Sequence, residues 1–159
     1  MTTKNDFTDD EWSRVLRAPM VAGLALSLAD PGGPIEAAKE TMATMKSATN
    51  PPSREQLLSE VALEIQSMAQ ARKNPIKGYK PTRDRDPGEQ VLEELQAVQD
   101  IVKAKAAPDE AEAFGRWLVA SAQAAADAAK EGGFMGFGAE LVSDREQAML
   151  ERVRAAVTP

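Results

Sequence analysis

In segment after segment, the apolar residues of this chain recur at three- to four-residue spacing. Runs of proline and glycine stand between the segments. Such spacing puts side chains on one face of an α-helix, and a proline or glycine cluster ends one. Thr8 and Glu11 form a capping box ahead of Trp12, Val15 and Leu16, with Asp9 and Asp10 where the helix dipole favours negative charge. Pro19 leaves two alternatives. Either one helix kinks there, or a short helix ends near Arg17 and Pro19 sits in the first turn of the next. Met20 to Ala29 is apolar nearly all round, as a buried central helix is. Gly23 and Ser27, four apart, leave room for another helix to approach closely.

Asp30-Pro31-Gly32-Gly33-Pro34 is a hard stop, with Pro34 placed to open a second helix over 34–47 whose stripe is Ile35, Ala38, Met42 and Met45. Asn50-Pro51-Pro52 ends it. Ser53 and Gln56 then read as a capping box for a third helix running to about Arg72, with Leu57, Leu58, Val61, Ile65, Met68 and Ala69 on its apolar side. The proline-rich stretch 73–88 has no apolar period and reads as a long surface loop. A fourth helix is expected from about Gly88 to Lys105 on Val91, Leu95, Val98 and Val102. A fifth, about 108–130, is anchored by Phe114, Trp117 and Leu118, and its second half, SAQAAADAAK, has to pack tightly if it is buried. Gly132 and Gly133 end that helix, and Ser143 with Glu146 caps a last one over 144–157, with Met149, Leu150, Val153 and Val157 inward. The one strand-like stretch is 138–142. The expectation is an all-α, single-domain bundle of five to seven helices over residues 1–159, with 1–7 as a flexible N-terminus.

Composition agrees. A chain of 159 residues can bury one core, and with aromatics at 4% and hydrophobic residues at 43% that core rests on Leu, Val, Ile, Met and Ala. A net charge of −6 argues against nucleic acid and anionic membranes as partners. Cysteine and histidine are both missing from the sequence. Disulfides, thiolate nucleophiles, Ser-His-Asp triads and histidine metal sites are thereby excluded. No cofactor is expected. The N-terminus lacks the apolar core of a signal peptide, and the longest nearly apolar run, 19–29, is too short for a transmembrane segment. A cytoplasmic, bacterial-style protein is the corresponding expectation.

Three stretches could carry function. EGGFMGFG at 131–138 has the glycine content of a phosphate cradle, but Ala139-Glu140 stand where a P-loop has its lysine and hydroxyl, and a helix precedes it where a P-loop follows a strand. Phe134, Met135 and Phe137 occupy positions where a calcium loop needs oxygen ligands. These three side chains either plug the end of the bundle or dock a partner. The 72–86 loop forms a basic island with Lys77, Lys80 and Tyr79, suited to an acidic partner or to the protein's own acidic surface. Carboxylate pairs at Glu36/Glu40, Glu60/Glu64 and Glu89/Glu93 share helix faces and could bind a divalent cation for a carboxylate-based hydrolase, although charge on helices is usually solvated. Glu93-Glu94-Leu95-Gln96-Ala97 begins the magnesium motif of helical nucleotide pyrophosphohydrolases and departs from it at Ala97.

Two segments look alike: Ala29-Asp30-Pro31-Gly32-Gly33 with Glu36 and Glu40 beyond, and Ala129-Lys130-Glu131-Gly132-Gly133 with Ser143 and Glu146 beyond. Each reads as small helix, acidic-glycine turn, then a helix with an early Glu, as in a diverged internal repeat. This pattern resembles the TerB-like (tellurite-resistance) α-helical family over about a third of the chain, with Pro31 and the Phe-rich insertion as departures. The resemblance implies a helical bundle in a stress response or membrane-associated complex, without catalysis. The leading expectation is an interaction module that binds a protein partner, or itself, through Phe134, Met135, Phe137, Lys77, Tyr79 and Lys80.

Overall fold

A computed structural model describes residues 1–131 and 142–158. Among them lie six helices and no strand: α1 (Asp9–Ala29), α2 (Pro34–Ala48), α3 (Gln56–Gln70), α4 (Pro87–Lys105), α5 (Pro108–Glu131) and α6 (Asp144–Val157), preceded by a short 3₁₀ turn at Lys4–Asp6. The all-α bundle is the architecture that the periodicity implies. None of these helices is long and apolar enough to cross a membrane.

Both α1 and α5 pack against every other helix of the bundle. Phe114, Trp117 and Leu118 of α5 are wholly buried, and so are Ala122, Ala125 and Ala126 in its alanine-rich half. Side chains that small let neighbouring backbones come close. The Trp117 indole spends its N–H on the Ser47 carbonyl of α2 at 2.9 Å, and Phe114 meets the Trp117 ring edge-on. α6 turns Met149, Leu150, Val153 and Val157 inward. Its last turn lies so close to α5 that a Cβ on Gly115 would collide with the Val157 carbonyl.

The ambiguity at Pro19 resolves as one continuous helix. Pro19 is buried inside α1, which runs unbroken from a Thr8–Glu11 capping box to Asp30. Two local readings are corrected. Glu55, not Ser53, precedes the first residue of α3, and no side chain caps that end; the Ser53 hydroxyl is buried without a partner among the described residues. α3 also stops two residues short of Arg72, so Ala69 is exposed in its last turn, and Arg72 takes φ 57° as the chain leaves the helix.

Residues 1–7, expected as a flexible N-terminus, are anchored at three points. Thr2 bonds the buried Glu110 through its backbone N–H and its hydroxyl. The Lys4 N–H bonds Glu60 at 2.9 Å, and the Phe7 ring is buried against Trp12. Glu64 accepts the Trp12 indole N–H at 2.8 Å and also pairs with the Lys4 amine. The Glu60/Glu64 pair therefore fastens the N-terminal segment to α3.

Candidate functional site

α2 departs most from what its sequence pattern suggests. An apolar helical stripe ordinarily faces the core. Here Ile35 is 74% exposed, Met42 is 72% exposed and Ala38 is exposed, with Met45 half-buried at the edge. Glu40, Thr44 and Ala48 face inward instead. The cause is the surface on which α2 lies. A Cβ on Gly23 of α1 would run into the Thr44 side chain, and α5 meets α2 at Ser47 through the Ser121 hydroxyl and the Trp117 indole. At Gly23 the two helices are so close that a side chain no larger than Thr44 fits between them, whereas Glu40, one turn earlier, lies beside a cavity.

The polar groups taken inward are satisfied locally. The Ser27 hydroxyl bonds one oxygen of the Glu40 carboxylate, and the Thr44 hydroxyl donates to the Glu40 carbonyl at 2.7 Å. Ser47 and Ser121 share a hydrogen bond of 3.0 Å. Beside Glu40, a cavity of about 270 Å³ opens between α1, α2 and the loop after α3. Met20, Leu24 and Ile76 form its apolar wall, and Ser27, Glu40, Thr41 and Thr44 its polar one.

Glu40 lies near Glu146 at the start of α6. Burial raises the Glu40 carboxyl above the usual carboxylate range; the Ser27 bond opposes the rise, and Glu36 and Asp30 add to it. Burial likewise raises Glu146, with Ser143 opposing and Asp30 and Glu40 adding. Ser143 is the N-cap of α6, accepting the Glu146 N–H and donating its hydroxyl to the carboxylate, whose other oxygen is buried without a partner among the described residues. The charge of Glu40 in one look-alike segment is thus felt by Glu146 in the other.

The sign of the pH effect follows. A carboxyl whose folded value is raised favours the fold fully below the ordinary carboxylate range, and that contribution is lost as pH rises through the raised value. Glu146→Gln keeps an acceptor for Ser143 and removes the charge. Its melting temperature near pH 7.5 is expected to exceed that of the parent. The gap should close as the pH falls toward 4. A gap that is constant with pH, read by circular dichroism, would contradict the assignment.

The other acidic pairs are occupied. Glu60 and Glu64 hold the N-terminal segment, Glu89 pairs with Arg152 and Glu93 with Arg85. No group of three His, Cys, Asp or Glu side chains among the described residues could hold a metal ion.

The sequence candidates separate. Phe134, Met135 and Phe137 lie outside the described residues. Lys77 and Lys80 are exposed, whereas Tyr79 is half-buried, with the Arg17 guanidinium 6.0 Å from its ring centre and its hydroxyl buried without a partner among the described residues. Tyr79 and Lys80 share a shallow groove of about 350 Å³ with Arg14, Arg85, Glu93 and Glu94, whose lining does not include Lys77. In that groove Arg85 of the basic island pairs with Glu93 of α4, so part of the island meets the protein's own acidic surface, and Arg14 of α1 forms a two-pronged ion pair with Glu94 at 2.9 Å. Sequence reasoning passed over the inward turn of Glu40. Its signal was present in two matching rows of small residues, Gly23 with Ser27 and Thr44 with Ala48. No family model, curated protein or solved structure matches the chain.

Proposed function

We propose that this protein is a helical interaction module, without catalysis, that docks an acidic amphipathic helix on the outer face of α2. The observation that carries the reading is the outward stripe Ile35, Ala38 and Met42, with Met45 half-buried at its edge. Its alternating spacing of three and four is that of a two-helix seam. Lys39 and Lys46 each follow an inner position of the seam, where flanking charges choose the partner, and neither pairs with a carboxylate among the described residues. Two copies of α2 packed antiparallel would bring these lysines against each other, so an acidic helix fits better than a second copy. The net charge of −6 opposes such a partner only weakly, because charges beyond about 8 Å are screened at physiological salt. A stress-associated role, implied by the TerB-like resemblance, belongs to the same proposal.

A fluorescent synthetic helix with a leucine seam and glutamate flanks is the probe. Saturable binding by anisotropy is expected, about tenfold or more weaker when the flanks are lysine, a difference of about 1.4 kcal/mol. The Ile35→Ser/Met42→Ser double variant should lose the binding while keeping its circular dichroism spectrum. Equal binding of both peptides, or undiminished binding by the folded double variant, would overturn the reading. A doubled mass by light scattering that the double variant abolishes would assign the face to self-association instead.

A further inference from the structure

From the cavity between α1, α2 and the loop after α3, we infer a second binding site, for a small organic cation: a primary ammonium on a short hydrocarbon chain. The argument rests on hydrogen-bond direction. The Ser27 hydroxyl bonds one Glu40 carboxylate oxygen, and the Thr44 hydroxyl commits its proton to the Glu40 carbonyl. Thr41 likewise donates to the Ala37 carbonyl. With their protons engaged, these hydroxyls can offer the cavity only lone pairs. The second Glu40 oxygen accepts no hydrogen bond among the described residues, although Glu40 itself is only 5% exposed. Asn74, exposed at the rim, turns its oxygen to the Ile76 N–H and contributes the one side-chain amide of the described lining.

A site whose hydroxyls and carboxylate accept and do not donate fits a group that donates and does not accept. An ammonium has three donors and no acceptor. Its charge also answers the local field, because the negative charges of Glu36 and Asp30 add to the raised Glu40 carboxyl, and no cation pairs with Glu40 among the described residues. A divalent metal fits poorly, since a hard cation takes six or more oxygens and one wall here is Met20, Leu24 and Ile76. That apolar wall instead suits a hydrocarbon chain. At ~30 Å³ per water in the liquid, about 270 Å³ corresponds to about nine waters, room for an amine of about four to six carbons.

The test is an NMR titration of the full chain with pentylammonium chloride, with 1-pentanol and ammonium chloride as controls at equal ionic strength. Pentylammonium is expected to saturate with millimolar affinity near pH 7 and to shift amides of residues 20–27 and 40–44. Pentanol should bind at least about tenfold more weakly. Glu40→Gln preserves shape and should bring amine and alcohol to equal affinity, whereas Leu24→Phe, which fills the apolar wall, should weaken both. Should a variant fail to fold, the parent decides alone, because acidification through the Glu40 titration must erase the preference for amine over alcohol. Equal affinity for amine and alcohol near pH 7, a full amine preference in folded Glu40→Gln, or shifts that never saturate would each overturn the site.

Discussion

Trp117→Ala is expected to lower the free energy of unfolding by about 3–5 kcal/mol, the range for deleting a fully buried large aromatic. Trp117 is 0% exposed and sits on α5, against which all the other helices pack. Its removal opens a cavity beside Phe114 and frees the Ser47 carbonyl of the indole N–H. That carbonyl still accepts the Asn50 N–H at 3.1 Å, so the lost hydrogen bond is a minor part and the cavity the major one. Folded chains of this kind are stable by about 5–15 kcal/mol in all, so the variant should approach the edge of folding. Urea denaturation measures it, and a loss under about 1 kcal/mol would show that α2 and α5 can close the gap.

Gly23→Ala should also be destabilising, by about 1–3 kcal/mol, the usual cost of forcing extra atoms between packed elements. The expectation runs against helix propensity, since Ala in a helix interior is favoured over Gly by about 1 kcal/mol. Contact decides the sign. The added Cβ would meet the hydroxyl, the methyl and the Cβ of Thr44, and a β-branched side chain on a helix has one or two rotamers to yield with. Thr44→Ala removes two of those three atoms, so the Gly23→Ala/Thr44→Ala double variant should recover much of the loss. The coupling in that double-mutant cycle is the measurement, and additivity would mean that α1 and α2 are not held at this point. Pushing α2 away should also separate Ser27 from Glu40 and weaken the cation site, which links the packing to the chemistry.

Five helices could be read close to their bounds, and α1 too once Pro19 proved to lie inside it. The signals concerned are local: the Thr8 and Ser143 caps, Pro34 and Pro108 as first residues, and the breaks at 30–34 and 50–52. The inward stripes of α4 and α6 were legible because Val and Leu there are buried on the face that their spacing marks. The binding surfaces were not. Glu40 and Glu36 look like a solvated pair in the sequence, yet Glu40 is buried beside a cavity whose other walls come from α1 and from Ile76 in the loop. No spacing within one helix encodes that meeting. Of the residues singled out in the basic loop, Lys77 and Lys80 are exposed, and Tyr79 is drawn in by Arg17, which is more than sixty positions away in the chain.

The sequence by itself determined the helical class, the places where helices start and stop, and the chemistries that a chain without Cys or His lacks. Periodicity, capping and residue inventory are properties of neighbouring residues and need no fold to be read. Only the tertiary structure decided which way α2 faces. Leaving Ile35 and Met42 in water forgoes about 1.5–3 kcal/mol for each side chain that could have been buried. Steric contact between backbones overrides that preference. Gly23 lets α1 and α2 come so close that Thr44, and no larger side chain, fits between them. The same close approach turns the apolar stripe toward a partner and sets Glu40 beside its cavity.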